Sequence, residues 1–261
     1  MLVLLAENDP ACRLVARSIL ERDGFRVRFA CDGDRAVALA RLVRFDVIVL
    51  DVAMPALNGL QAAQRIRHDL HLFGNPHTRL IALTAYDTPQ DIARCRASGI
   101  DGIIAKPLRS GDLEAALSTW TMGGAAASIG VAANMADAMS RPLLDEGVVR
   151  GGPGLSDPAT REQIWQTYRA SLSTSLKDIA ASLRGHLAGD SASAALFMSA
   201  LHSLRSASLT VGMNRAPYMA RELRHAPRDA IVPQTVRLLH TVRDSLPRLE
   251  AVLQDISVAP R

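Results

Sequence analysis

The chain has 261 residues, which is enough for two domains of ordinary size, and 48% of them are apolar, as in globular proteins. Its formal net charge of +4 comes from arginines spread along the chain, without a basic stripe, so we expect no nucleic-acid binding. The cysteines lack CxxC spacing, and no apolar run has membrane-spanning length or signal-peptide character; we therefore predict a cytoplasmic protein without disulfides or membrane insertion.

Strand-like and helix-like patterns alternate over residues 1–119. Short apolar runs lie at 2–6, 25–29, 46–51, 79–84 and 101–105. Between them, apolar residues recur at helical spacing in 10–22, 33–43, 59–70, 89–98 and 111–119. This alternation predicts a doubly wound, five-stranded parallel sheet, a flavodoxin-like α/β fold that binds ligands beyond the carboxyl ends of its strands.

Polar residues stand at the carboxyl ends of three of these strands. Asp51 ends the third strand, Thr84 ends the fourth, and Lys106 follows the fifth. A carboxylate, a hydroxyl and an ammonium at one sheet edge suit an aspartyl phosphate, because the ammonium can neutralise one phosphoryl oxygen. Lys106 is one of only two lysines against 28 arginines. This bias favours a specific role for Lys106 over the alternative of a chance surface lysine.

The rest of the chain has a different pattern. Residues 120–141 are rich in Gly and Ala and are predicted to form a linker. Residues 142–257 are predicted to form an all-α domain, an antiparallel helical bundle, because helical periodicity dominates there. The helical segments lie at about 143–149, 158–187, 190–210, 213–225 and 230–256.

The third of these helices carries one apolar stripe. Its members are Phe197, Leu201, Leu204 and Ser208. His202 projects about 100° away from Leu201, since an α-helix has 3.6 residues per turn. We therefore expect the stripe to face the core and His202 to face outward.

The first 119 residues resemble the receiver domain of two-component response regulators. The motifs that carry the resemblance are Glu7-Asn8-Asp9, Asp51 with Met54-Pro55-x-x-Asn58-Gly59, Thr84-Ala85 and Lys106-Pro107. The resemblance implies that Asp51 is the phosphoacceptor, that Thr84 bonds to one phosphoryl oxygen and that Lys106 neutralises another. It also implies a bound Mg²⁺ ion. Its candidate ligands are Glu7, Asn8, Asp9, Asp51 and the carbonyl of Ala53.

Two residues depart from the usual receiver pattern. Asn8 stands where receivers usually supply an aspartate to the metal, so one negative charge is lost and we expect weaker Mg²⁺ binding. Ile103 stands where receivers usually carry an aromatic residue that moves with the loop after Thr84. The common coupled switch of these two positions is therefore not expected here.

Residues 142–257 resemble a histidine phosphotransfer (HPt) domain, which implies a four-helix bundle. The resemblance lies in the signature His202-Ser203-Leu204-Arg205-Ser206-Ala207-Ser208-Leu209-Thr210-Val211-Gly212 and in its frame, which includes Pro142-Leu143-Leu144-Asp145 and the long helix of Trp165. It implies that His202 accepts and donates a phosphoryl group and that Arg205, one turn away, stabilises phosphoryl charge. Ser206 replaces the usual Gly and adds a hydroxyl beside the imidazole.

His202 also lies in a sequence similar to the His-Glu-Leu-Arg-Thr-Pro box of sensor-kinase dimerisation helices. No glycine follows Gly212, so no ATP-binding kinase domain is predicted. We therefore predict a phosphorelay intermediate, a phosphoryl carrier rather than an enzyme. Its partners are a sensor histidine kinase, hybrid kinases included, and other receiver or HPt proteins. The alternative is a receiver-controlled interaction module whose helical domain binds a partner without being phosphorylated.

Overall fold

The computed structural model describes residues 1–72, 77–84, 89–121, 140–151 and 158–258. The chain divides into two compact units, Met1–Ala132 and Ala133–Arg261. Most of the predicted linker 120–141 lies outside the described residues, apart from two residues at each end.

The first unit alternates strands with helices throughout its described residues. The strands are β1 Leu2–Ala6, β2 Arg26–Ala30, β3 Val47–Asp51, β4 Arg79–Thr84 and β5 Gly102–Ala105. The helices are α1 Pro10–Arg22, α2 Gly33–Leu42, α3 Gly59–Leu72, α4 Pro89–Ala97 and α5 Asp112–Thr121. All neighbouring strands pair in parallel in the order β2-β1-β3-β4-β5, which confirms the predicted sheet.

The sheet separates two hydrophobic cores, because successive side chains of a strand point to opposite faces. One face packs against α2, α3 and α4, and its core includes Leu4, Ile48, Leu80, Ala36, Ile66 and Cys95. The other face packs against α1 and α5, and its core includes Val3, Val47, Ile81, Ile19 and Leu113. Strand order reverses between β1 and β3, so a ligand crevice is expected at the carboxyl ends of these two strands.

Local interactions set the bounds of the elements around β1 and β2. Asp9 caps α1, since its Oδ1 accepts a hydrogen bond from the Cys12 amide at 2.8 Å. The Phe25 amide donates to the Leu20 carbonyl at 2.9 Å and closes the turn after α1, so β2 begins one residue later than predicted. β2 is an edge strand, and its Arg26 and Arg28 side chains are exposed.

The second unit is helical in its described elements, as predicted. They are α6 Glu146–Gly151, α7 Pro158–Ala188, α8 Ser191–Thr210, α9 Ala216–Leu223 and α10 Arg228–Val258. α8 packs against both α7 and α9, and α10 packs against α6, α7 and α9. α6 begins later than predicted because Leu144 pairs with Met213 in an antiparallel β-bridge, which keeps the preceding residues extended. Within the described residues, no helix has the length and apolar character needed to span a bilayer.

The surroundings of α8 contradict one prediction. The stripe of Phe197, Leu201, Leu204 and Ser208 is fully buried, as expected. His202 was expected to face outward, but only 4% of it is exposed. The prediction was wrong because α8 packs against two helices, which bury every residue from 204 to 208 as well as His202. Three of these five are Ser or Ala, whose small side chains allow close approach of neighbouring helices.

Candidate functional site

Asp51 is fully buried at the carboxyl end of β3. Its Oδ1 accepts a hydrogen bond from the Ala53 amide at 3.1 Å. The Gly59 amide donates to the Val52 carbonyl at 3.1 Å and closes the loop that follows. A Cβ at position 59 would overlap the carbonyl oxygen of Asp51. The glycine of the sequence motif therefore lets the start of α3 pack directly against the end of β3.

The ammonium of Lys106 bridges two buried carboxylates. Its Nζ lies 2.8 Å from Oδ2 of Asp51 and 2.6 Å from Oε2 of Glu7. The Lys106 amide donates to the Thr84 carbonyl at 2.8 Å, which joins the ends of β4 and β5. The structure thus brings Asp51, Thr84 and Lys106 to one edge of the sheet, as predicted from their positions at the carboxyl ends of three strands.

Thr84 and Ile103 occupy buried positions near this edge. Thr84 is 2% exposed and ends β4. The loop 85–88, which contains Ala85 of the sequence motif, lies outside the described residues. Ile103 is 6% exposed and belongs to the core under α2, α3 and α4. The position that usually carries a mobile aromatic residue is therefore held here by a packed aliphatic side chain.

The electrostatics of the cluster follow from burial and from two carboxylates sharing one ammonium. Burial is the main cause that raises the pKa of Glu7 to about 8; the charge of Asp51 adds to this effect and Lys106 opposes it. Burial alone would lower the pKa of Lys106, but the charges of Asp51 and Glu7 outweigh it and raise that pKa. Burial and the neighbouring carboxylate thus favour a proton on Glu7, whereas the two carboxylates favour the charged form of Lys106.

Oxygen atoms that suit a hard cation lie at the same edge. Asn8 Oδ1 is buried and has no hydrogen-bond partner among the described residues. An unmet buried acceptor costs about 1–3 kcal/mol, so a ligand for this oxygen is expected. Asp9 is 3% exposed, but its Oδ1 is engaged in capping α1.

The described residues contain no group of three or more His, Cys, Asp and Glu side chains arranged around a metal position. Carboxylate, amide and carbonyl oxygens together fit Mg²⁺, which binds few protein oxygens and keeps several waters.

Arg13 supports this edge and was missed by the sequence reasoning. Its Nη1 donates to the Glu7 carbonyl at 2.7 Å and lies 3.5 Å from the Asn8 carbonyl. These contacts fix the backbone of the loop that carries the candidate metal ligands. One arginine among 28 has no distinctive sequence signal. Its position one turn into α1, just after the acidic motif, is the only pointer to its role.

The segment that carries the parallel sheet and the buried Asp51–Lys106–Glu7 cluster matches a known protein family. Residues 3–118 match the family model of the response regulator receiver domain. Residues 3–118 are a receiver domain. The match covers less than half of the chain, and the helical unit lies outside it.

Named bacterial proteins are similar to part of this chain. The sensor histidine kinase AruS of Pseudomonas aeruginosa is 43% identical over 115 residues, which are 44% of this chain and 11% of AruS. The sensory/regulatory protein RpfC of Xanthomonas campestris pv. campestris is 26% identical over 151 residues, 56% of this chain and 21% of RpfC. The transcriptional regulatory protein AfsQ1 of Streptomyces coelicolor is 35% identical over 113 residues, 43% of this chain and 48% of AfsQ1. The chain thus spans half or less of the length of these relatives.

Solved receiver structures are also similar. The receiver domain of sensor histidine kinase PA1611 from Pseudomonas aeruginosa PAO1 is 32% identical and covers 46% of this chain and 95% of that one, with a TM-score of 0.42. That structure holds a magnesium ion in its active-site cleft. The chemotaxis protein CheY4 of Vibrio cholerae is 29% identical and covers 45% of this chain and 95% of that one, with a TM-score of 0.41.

The helical unit buries the residues singled out in its sequence. His202, Arg205 and Ser206 lie on adjacent turns of α8 and are exposed by 4%, 5% and 1%. Ser206 Oγ lies 3.3 Å from His202 Nε2. The structure therefore brings the three residues together, but in the interior of the unit rather than on its surface.

The two sequence motifs of the helical unit meet at the end of α8. The Asp145 amide donates to the Gly212 carbonyl at 2.7 Å, and the Asn214 amide donates to the Leu143 carbonyl at 3.0 Å. Gly212 has a φ of +75°, a conformation that favours glycine. A Cβ at this position would also lie 2.8 Å from the Asp145 carbonyl oxygen. The glycine of the signature therefore serves the close approach of the segment before α6.

Proposed function

We propose that the receiver takes up a phosphoryl group on Asp51. The contact between Lys106 Nζ and Asp51 Oδ2, 2.8 Å long in a buried site at the sheet edge, carries this proposal. A carboxylate oxygen of Asp51 forms a bond to phosphorus while the bond from phosphorus to the donor breaks in line. Lys106 neutralises one phosphoryl oxygen of the product, and the Thr84 hydroxyl donates to another.

The same proposal includes an Mg²⁺ ion at this edge. Asp51, the Asn8 amide oxygen and the Ala53 carbonyl would hold it directly, with Glu7 and Asp9 nearby. The unmet Asn8 Oδ1 is the observation that supports a cation here. Bound Mg²⁺ would supply positive charge to the transferring phosphoryl group. Arg13 keeps the ligand-bearing loop in place.

The helical unit is, in this proposal, an HPt domain in which His202 exchanges phosphoryl groups with this or another receiver. The signature 202–212 and its contact with residues 143–145 support this assignment. The chain then acts as a phosphoryl carrier without kinase activity, between a sensor histidine kinase and other receiver or HPt proteins of the cytoplasm.

Acetyl phosphate, a small phosphoryl donor, tests whether Asp51 is phosphorylated without the need for a partner kinase. Full-length protein is incubated with radiolabelled acetyl phosphate and Mg²⁺, and we expect label that alkali removes, as an acyl phosphate requires. Asp51→Ala should take up no such label. Asp34→Ala, which changes an exposed aspartate of α2, should label like the wild type. Equal labelling of Asp51→Ala and wild type would contradict the proposal.

Transfer from a radiolabelled, phosphorylated receiver tests whether His202 accepts a phosphoryl group. We expect label that is stable in alkali and lost in acid, as in phosphohistidine. It should be absent from His202→Ala and present in His240→Ala, which changes an exposed histidine of α10. Label that persists in His202→Ala would remove the HPt half of the proposal and leave the receiver half intact.

The burial of His202 favours a second candidate function. A ring that is 4% exposed does not meet an incoming receiver in this conformation. The helical unit would then bind a partner under control of the receiver, without carrying phosphate. Partner binding and signalling that survive His202→Ala but fail in Asp51→Ala would support this alternative.

A further inference from the structure

The hydroxyl of Ser206 is in direct contact with the His202 ring. Ser206 Oγ lies 3.3 Å from His202 Nε2, and the two residues are 1% and 4% exposed. They are four residues apart, so they lie one above the other on α8. The contact therefore forms within one helix and does not require any particular position of the receiver.

This contact occupies Nε2 in either tautomer of the ring. When the hydroxyl donates its proton, the lone pair of Nε2 is the acceptor. When Nε2 carries the proton, the nitrogen donates to Oγ and has no in-plane lone pair. In both cases Nε2 cannot attack an electrophile while the contact persists.

We propose that Ser206 is a positioning residue whose contact with Nε2, here called the Ser206–His202 lock, fixes the orientation of the ring on α8 and withholds Nε2 from electrophiles. The role of the Ser206–His202 lock in signalling rests on the proposed phosphotransfer function. The contact itself forms within α8 whether or not His202 carries phosphate. Once the contact opens, Nε2 forms a bond to the phosphorus of a receiver's aspartyl phosphate. The bond from phosphorus to the carboxylate oxygen breaks, its electron pair leaves with that oxygen, and the ring proton stays on Nδ1.

Diethyl pyrocarbonate measures the lock independently of phosphotransfer, because it modifies unprotonated imidazole nitrogens. Full-length wild type, Ser206→Ala and Ser206→Gly are treated near neutral pH, and modification of His202 is followed by peptide mass spectrometry. The exposed rings of His225 and His240 serve as internal references in every sample. Circular dichroism verifies that each variant is folded.

Removal of the hydroxyl should speed modification of His202 by roughly 2- to 10-fold, the fold change that corresponds to about 0.5–1.5 kcal/mol for one hydrogen bond. The references should not change. Ser203→Ala removes a hydroxyl from the neighbouring residue, which points about 100° away around the helix, and should react like the wild type. Equal rates for wild type and both Ser206 variants would overturn the lock. So would an equal acceleration in Ser203→Ala.

Phosphoramidate then tests what the lock does in phosphotransfer. This small donor requires no docking partner, and transfer to His202 releases ammonia as the phosphorus–nitrogen bond of the donor breaks. We expect Ser206→Ala to take up alkali-stable label faster than the wild type by a similar factor. If the Ser206 variants react faster with diethyl pyrocarbonate but no protein takes up label from phosphoramidate, the lock is retained and the phosphotransfer function is contradicted. Labelling at equal rates in wild type and Ser206→Ala would overturn the role of the lock in transfer.

Discussion

The buried carboxyl group of Glu7 should make the stability of the receiver depend on pH. Its ordinary pKa is 4.5, and burial is the main cause that raises it to about 8 in the folded protein. Between these values the folded receiver retains a proton that the unfolded chain releases. The free energy of unfolding therefore falls as pH rises: the contribution of Glu7 is complete below the unfolded pKa and lost above the folded one.

The size of this effect follows from the pKa difference. One pKa unit corresponds to 1.36 kcal/mol, so the window between the two values corresponds to an upper limit of roughly 5 kcal/mol. Glu7→Gln keeps the shape of the side chain and an oxygen that can accept from Lys106, but it removes the titration. The stability of the wild type minus that of the variant should therefore decrease by up to about 1.4 kcal/mol for each pH unit within the window.

Urea titrations in EDTA, read from the amide NMR signals of β1 and β3, measure the receiver apart from the helical unit. Glu21→Gln, which changes a half-exposed glutamate of α1, should retain the slope of the wild type. Added Mg²⁺ should flatten the slope of the wild type, because the cation competes with the proton. A difference between wild type and Glu7→Gln that does not change with pH would refute the reasoning.

Three further changes test the same edge of the sheet. Lys106→Met should destabilise the receiver by about 3–5 kcal/mol above the pKa of Glu7, because two carboxylates lose their buried cation, and by less in acid; urea titrations at two pH values measure this. Asn8→Asp should tighten Mg²⁺ binding by about tenfold, because it adds a charge close to the cation; an unchanged Kd in isothermal titration calorimetry would contradict the assigned ligand. Gly59→Ala should cost about 1–3 kcal/mol and slow acetyl phosphate labelling, because the Asp51 carbonyl must move. Gly111→Ala, at a positive φ but in open space, should lower stability without slowing labelling.

The fold of the receiver could be predicted because its signals are local. The bounds of β1, α1 and β4 were predicted to the residue. An apolar run that ends in polar residues defines a strand, and Asp9-Pro10 defines a helix start through capping and a proline at the first helical position. The convergence of Asp51, Thr84 and Lys106 then follows from topology alone, because the carboxyl ends of parallel strands lie at the same edge of the sheet.

The features that could not be predicted depend on contacts distant in sequence. The position of His202 was predicted wrongly because periodicity identifies the most apolar face of a helix but not how many neighbours cover the others. The bond from Arg13 to the Glu7 carbonyl requires a side chain to reach across a loop, and many arginines of the chain could have done so. The hydroxyl of Ser206 was recognised as a departure, but its contact with Nε2 is visible only in three dimensions.

The edge strands of the sheet bear on the behaviour of the receiver at high concentration. An exposed strand edge can template the addition of strands from other molecules. A second copy of β2 placed alongside the first would lie about 4.8 Å away, bringing the exposed Arg26 and Arg28 side chains of both copies close together. At the opposite edge, β5 offers only four residues for pairing. Charge repulsion at one side and short length at the other thus oppose sheet extension into fibrils.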